Sequence, residues 1–273
     1  MKKLLFVYDM PLDKEPLWKD GLWAAIEELR KDFYVEKWNI QDRFLPESHG
    51  FETDFILGWG GFNSRVDQFI SQTSIAFKKR GLCLGGYGFI PERNDTYDAI
   101  FYECKWGLKW LSDNLGPNHH VKFYHAFGIN SKIYNGFVSD PIWDYTTVGA
   151  FSLWKRQGFL LTKPGAKLAI GEIQKGNISE SMDIAGDLLL SGVTVGDMVP
   201  PEQLASIYRS SKTVYIPATE FGGGERAVLE ARACGCKVEI ESDNKKLEEL
   251  LTCDIWDEYY YANQLKQGIL SCL

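Results

Sequence analysis

The segment running from Pro217 to Gly235, Pro-Ala-Thr-Glu-Phe-Gly-Gly-Gly-Glu-Arg-Ala-Val-Leu-Glu-Ala-Arg-Ala-Cys-Gly, places a glycine run between acids. Val214 to Ile216 predicts a buried strand just before it, and the residues from Glu225 onward predict a helix just after it. Gly222, Gly223 and Gly224 lack the Cβ that would hold a ligand off the backbone. The helix start behind them offers N–H groups and the positive end of a dipole. That combination suits a diphosphate. Glu225 and Glu230 are roughly 140° apart around the helix axis, so they face different ways. Glu230 falls among the small and apolar residues Ala227 to Ala231, where a buried carboxylate needs hydrogen-bond donors, and a ribose diol is one source of them.

Two other groups of residues could do chemistry. Lys155 and Arg156 form one of the densest basic spots, the other being Lys78-Lys79-Arg80, which reads as a solvated helix end. Trp18, Trp23 and Trp59, with the glycines Gly58, Gly60 and Gly61, could form an aromatic surface that stacks on a sugar or base, or could simply pack the core. No Asp-x-Asp stands in a strand-end loop, so no metal site is implied. The pair Cys234 and Cys236 has no partnering Cys or His at zinc spacing and is assigned to packing.

The elements that must position these residues alternate along the whole chain, short apolar runs with longer amphipathic ones, which is the pattern of an α/β protein with parallel sheets. In the first half the pattern predicts strands at Leu4 to Tyr8, Asp54 to Leu57, Leu82 to Leu84, Ala99 to Tyr102 and Val121 to Tyr124. Helices are expected around Trp18 to Lys31, Ser64 to Lys79 and Lys105 to Asn114. Gly128 to Trp143 is rich in Gly, Asn, Ser, Asp and Pro and reads as a domain junction. A second series follows, with strands at Thr146 to Val148, Lys167 to Ile170, Leu188 to Ser191, Val214 to Ile216 and Lys237 to Ile240. Its helices are expected at Leu153 to Leu161, Pro201 to Ser210, Glu225 to Ala233, Asn244 to Leu251 and Trp256 to Leu270. Pro201 suits a helix start, where its missing N–H costs nothing.

At 273 residues, with 45% hydrophobic and 25% charged residues, the chain has the length and composition for two α/β units. No apolar run approaches the roughly 20 residues of a membrane helix, and the start turns charged too soon for a signal peptide. A cytoplasmic protein is expected. The six cysteines are scattered and read as reduced thiols. Acidic residues number 37 against 30 basic ones, so the overall field does not favour nucleic acid. The first strand leads into Asp9-Met-Pro-Leu-Asp13 rather than Gly-x-Gly-x-x-Gly, which argues against a dinucleotide oxidoreductase.

In their order, the glycine turn, the Val228-Leu-Glu-Ala-Arg-Ala-Cys-Gly235 stretch and the upstream Val199-Pro-Pro-Glu-Gln-Leu-Ala-Ser-Ile-Tyr208 passage resemble glycosyltransferase family 4. The resemblance implies a GT-B fold, two Rossmann-like domains facing across a cleft: an acceptor-side domain over residues 1–135 and a nucleotide-sugar-binding domain over 136–273, the last helix being free to pack back on the first domain. It implies that Glu230 binds the donor ribose, that Gly222 to Gly224 bind its phosphates, and that Glu220 lies beside the sugar. Glu220 stands further from Glu230 than the family's first acid does, so Glu225 shares the candidate catalytic role. Asp197, Met198 and Val199 are implied to bracket the nucleobase. Gly149 and Lys155 match a diphosphate clamp whose Arg is replaced here by Ala150, with Arg156 as the candidate substitute; two cations stabilise a leaving diphosphate. On the acceptor side, Asp20, Gly21 and Tyr87 match family positions. None of the four histidines, His49, His119, His120 and His125, falls where the family carries one near the sugar.

The expected activity is sugar transfer from a nucleotide diphosphate-sugar to an acceptor hydroxyl, retaining and metal-independent, with no cofactor beyond the donor substrate. The acceptor class stays open among glycan, lipid, small molecule and nucleic acid. The alternatives are a transferase that modifies DNA bases and a non-catalytic sugar-nucleotide binding module.

Overall fold

The computed structural model describes residues 1–42, 51–88, 97–115 and 120–273. Its chain divides into one unit of Met1–Gly128 with Trp256–Leu273 and another of Ile129–Ile255.

The first unit holds a six-stranded parallel sheet. Its strands are β1 (Lys2–Tyr8), β2 (Phe33–Asn39), β3 (Glu52–Gly60), β4 (Ala76–Leu84), β5 (Ala99–Tyr102) and β6 (Lys122–His125), in the order β2-β1-β3-β4-β5-β6. The helices α1 (Gly21–Leu29), α2 (Arg65–Gln72) and α3 (Lys105–Leu115) lie between them in sequence. Leu4 to Tyr8 are all buried, as a central parallel strand covered on both faces must be. Two expectations are corrected here. β2 was not expected, because Glu36 and Lys37 break its apolar pattern; as an edge strand it tolerates them. The helix expected to reach Lys79 ends at Gln72, and Lys78-Lys79-Arg80 lie in β4 instead. Their charges are answered across the sheet: Lys78 pairs with Asp54 and Lys79 with Asp98, each at 2.6 Å.

The second unit holds a five-stranded parallel sheet. It consists of β7 (Trp143–Val148), β8 (Lys167–Gly171), β9 (Thr194–Asp197), β10 (Ser211–Ile216) and β11 (Lys237–Ile240), in the order β11-β10-β7-β8-β9. Its helices are α4 (Ile178–Leu190), α5 (Pro201–Arg209), α6 (Glu225–Ala233) and α7 (Lys245–Glu248). The expected strand at Leu188 to Ser191 is the end of α4, whose Leu189 and Leu190 are exposed, and the strand comes later as β9. The expected helix at Leu153 to Leu161 is a turn followed by a 3-10 helix over Gln157–Thr162, entered through Arg156 at φ +50°. The final helix, α8 (Glu258–Cys272), packs on α1, β5 and β6 and so belongs to the first unit.

Each sheet reverses its strand order once. The reversal falls between β1 and β3 in the first unit and between β7 and β10 in the second. In open parallel sheets, ligands bind beyond the carboxyl ends of the strands at such a point.

Candidate functional site

At the reversal of the second sheet, β7 and β10 are hydrogen-bonded neighbours, and the turn beyond each is built on glycine. Gly149, Gly223 and Gly224 hold φ values of +122°, +70° and +119°, which side chains disfavour. The Lys155 ammonium sits against both turns. A Cβ on Gly149 would stand 3.4 Å from Lys155 Nζ, and one on Gly223 would stand 3.2 Å from it. Gly224 is the N-cap of α6 and supplies no side-chain cap, so the helix presents its N-terminal dipole beside that cation.

Glu225 heads α6 and is only 6% exposed. Its Oε1 pairs at 2.6 Å with Nζ of Lys246, which is 2% exposed. Burial by itself would raise the Glu225 carboxyl. The charge and hydrogen bond of Lys246, with the glutamate's own N–H and the charge of Lys155, more than offset it and hold the group below the ordinary glutamate range. Lys246 escaped the sequence reading, since nothing in the Lys245-Lys246 pair tells which lysine turns inward.

Arg156, expected to face a diphosphate, is engaged elsewhere. Its Nε donates to the Pro217 carbonyl at 2.6 Å, one terminal nitrogen donates to the Ala218 carbonyl at 3.1 Å, and the guanidinium forks onto Asp243 at 2.7 and 2.8 Å. It therefore braces the loop between β10 and α6. Asn244 braces the same loop, its amide donating to the Ala218 carbonyl at 2.6 Å, and the Thr219 N–H donates to the Trp154 carbonyl at 2.9 Å. Glu220 lies half-buried in this loop.

Glu230 is 5% exposed and accepts a long hydrogen bond, 3.5 Å, from the hydroxyl of buried Tyr208 on α5. Burial, then the Glu230 charge, push the Tyr208 phenol well up. Asp197 ends β9, and Met198 and Val199 follow it before Pro200, with Met198 exposed. All five strands are parallel, so these residues lie at the same edge of the sheet as Gly149 and the glycine turn.

In the first unit, Asp20 is the buried N-cap of α1, its Oδ1 accepting the Trp23 N–H at 2.9 Å, and Gly21 opens the helix. Tyr87, expected on an acceptor surface, is instead core. It is 5% exposed, edge-on to Trp106 and Trp110, and its hydroxyl accepts the Glu103 N–H at 3.3 Å. At the reversal of this sheet stands an aromatic cluster that joins the three tryptophans singled out from sequence. Trp18 lies 5.0 Å from Trp23 and 4.9 Å from Trp59, with Tyr8 beside the first two. Trp23 and Trp59 are half-buried, and Trp18 Nε1 is a buried donor without a partner among the described residues. Close by, Glu15 accepts from Tyr8 and Asn39, and Asp9 accepts from Gln41 and Arg65.

His49 and His119 lie outside the described residues. His125 is held by the Tyr260 hydroxyl and the Glu103 carbonyl. Cys234 and Cys236 are free buried thiols, and no cluster of His, Cys, Asp and Glu among the described residues could hold a metal ion. No helix among the described residues is long and apolar enough to cross a membrane.

No family model and no curated protein matches the chain. Solved structures do match over nearly its whole length. Sucrose-phosphate synthase of Thermosynechococcus elongatus aligns with a TM-score of 0.68 at 12% identity, covering 99% of this chain and 90% of that one. HepE of Anabaena, in complex with UDP and glucose, aligns at 0.58 and 13% identity, covering 100% and 95%. A protein of Listeria monocytogenes provisionally assigned as a UDP-N-acetylglucosamine 2-epimerase aligns at 0.50 and 13% identity, covering 99% and 88%. Named for different reactions and distant in sequence, these structures share an architecture with this chain, two Rossmann-like units of the GT-B fold.

Proposed function

We propose that this chain transfers a sugar from a nucleoside-diphosphate sugar to an acceptor hydroxyl. The observation that carries the reading is the Lys155 ammonium seated between the positive-φ glycines Gly149 and Gly223, beside the start of α6. A diphosphate lying there meets a cation, open backbone and a helix N-terminus together. Each is worth more to the leaving nucleotide, which gains charge as the glycosidic bond breaks, than to the intact donor, so the arrangement favours the transition state. In this reading Lys155 supplies the charge that a metal ion would otherwise supply. Glu230 holds the ribose, Asp197 to Val199 flank the base, and Glu220 addresses the sugar, with retention of configuration.

The names of the structural neighbours, with UDP and glucose bound in one, support a uridine nucleotide as the first donor to try. The aromatic cluster of Trp18, Trp23 and Trp59 is the proposed acceptor surface. The half-buried rings of Trp23 and Trp59, backed by buried Trp18, can stack on a sugar ring, and the acids Asp9 and Glu15 nearby disfavour a polyanion. Modification of DNA is further disfavoured because Lys78 and Lys79 are answered by acids.

The test is a thermal-shift screen with UDP, GDP and ADP, followed by incubation with a panel of nucleotide sugars and glycan, lipid and small-molecule acceptors. The anomeric configuration of any product is read by NMR, with and without EDTA. Stabilisation should reach about 2.7 kcal/mol at a hundredfold excess of ligand over its dissociation constant. Tight nucleotide binding with no sugar released or transferred would leave the binding-module reading standing, and conversion of the free nucleotide sugar to its epimer would replace transfer with epimerisation.

A further inference from the structure

Residues Asp243 to Lys246 attach to the donor loop through three successive side-chain contacts. Asp243 holds Arg156, Asn244 holds the Ala218 carbonyl, and Lys246 holds Glu225. The second holds backbone directly, and the first holds it through Arg156, in an ion pair whose Asp243 side chain is 63% exposed. The third differs in kind, because it buries a full ion pair.

We propose that Lys246 is a positioning residue of the donor site: by holding Glu225, it fixes where the Lys155 ammonium stands. The inference rests on the donor reading given above. Burying an ammonium and a carboxylate carries a desolvation cost that the pair's attraction often only offsets, and packed apolar residues commonly serve stability as well. Stability alone therefore gives little reason for a pair at 2.6 Å whose side chains are 2% and 7% exposed.

The geometry supplies another reason. The point where a Gly223 Cβ would stand is 3.2 Å from Lys155 Nζ and 3.6 Å from Glu225 Oε2. Oε1 of the same carboxylate is the atom that meets Lys246. One carboxylate is thus shared, one oxygen fixed by Lys246 and the other turned toward the side of Gly223 where Lys155 lies. The Lys155 charge in turn helps to keep the carboxylate ionised. Were Lys246 removed, Glu225 could turn wholly to Lys155 and draw the ammonium off the glycines, or take up a proton and leave it unguided. The three groups sum to one positive charge, and Lys246 competes with Lys155 for the carboxylate.

The double variant E225Q/K246M keeps that net charge of plus one on Lys155 while removing the shared carboxylate, so it separates position from charge. UDP, GDP and ADP are titrated by calorimetry into the wild-type chain, K155M, K246M and E225Q/K246M, and each protein is melted. The expected result is that the nucleotide bound by wild type is bound about tenfold more weakly by K246M. The double variant should regain the melting temperature lost in K246M and yet bind about tenfold more weakly than wild type. Wild-type affinity in K246M, or in the double variant, would overturn the positioning role and reduce Lys246 to a packing group. A wild-type chain that binds none of the three nucleotides would overturn the donor reading and this inference with it. Binding that is lost in K155M but kept in K246M would overturn this inference alone.

Discussion

Substituting alanine at Gly223 tests whether the glycine turn and Lys155 act on the same ligand. Gly223 stands at φ +70°, a left-handed conformation that costs an L residue about 1–2 kcal/mol. Its new Cβ would also lie 3.2 Å from Lys155 Nζ, inside ordinary van der Waals distance, so the ammonium must yield by a few tenths of an ångström. The backbone cost appears as stability, lowering the melting temperature by about 2–8 °C at roughly 2–4 °C per kcal/mol for a chain of this size. The displaced ammonium appears as affinity. A charge-assisted hydrogen bond contributes about 1.5–3 kcal/mol, so losing half of it or more weakens UDP binding about tenfold. Calorimetry with UDP reads the second effect and a thermal melt the first. Gly176→Ala is the control, since a Cβ there meets nothing within 4 Å and its φ is ordinary. A Gly223→Ala variant that melts lower yet binds UDP as wild type does would refute the placement of the diphosphate against Lys155.

Three further outcomes follow from the geometry. Arg156→Met removes donors from the Pro217 and Ala218 carbonyls and should cost about 1–3 kcal/mol, with faster hydrogen exchange across residues 219–224 read by mass spectrometry. Unchanged exchange there would show that Arg156 does not brace the loop. The Glu225 carboxyl is held below its unfolded value, so its contribution is present above the unfolded pKa of about 4.3 and is lost as the pH falls through the folded one. Melting temperature should therefore drop more steeply between about pH 5 and pH 3 in wild type than in E225Q/K246M; parallel curves would contradict the shift. At the alkaline end, burial pushes the Cys236 thiol up to about 12 and the Cys234 thiol to about 11. Both pKa values are raised above the unfolded thiol at about 8.5, so this stability is complete below that pH and is lost as pH rises toward the folded values. Cys236→Ala should flatten the decline of melting temperature above about pH 9.

The plainest strand signals in the sequence are the mostly buried apolar runs. Leu4 to Tyr8 and Ala99 to Tyr102 show an apolar run because helices cover both faces of a central parallel strand. β2 and the first half of β4 carry Glu36, Lys37, Lys78, Lys79 and Arg80 at an edge or toward the start of a strand, where a charge can reach solvent or an acid on the next strand. Their charges imitate a helix end. The converse error is Leu188-Leu-Leu190, where only Leu188 is buried: three leucines in a row resemble a strand, but the last turn of α4 exposes two of them. Each of these misassigned elements is one along which burial is uneven.

In the site, what could be read was what the backbone demands. Glycine is favoured where φ turns positive, and Gly149, Gly223 and Gly224 all do so at the strand reversal. Charges are harder, because a cation's role depends on where its neighbours send it. Lys155 and Arg156 are adjacent, yet Arg156 adopts φ +50°, and that left-handed step swings the next link of the chain so that the two side chains serve different partners. Arg, whose planar fork can hold two carbonyls and a carboxylate at once, takes the bracing position, and Lys, a point charge, takes the place against the glycines. A lysine at 156 would lose this bracing, since a single ammonium cannot span Pro217, Ala218 and Asp243 as the guanidinium does. Arg at position 156 is therefore as much a part of this loop's construction as the glycines are.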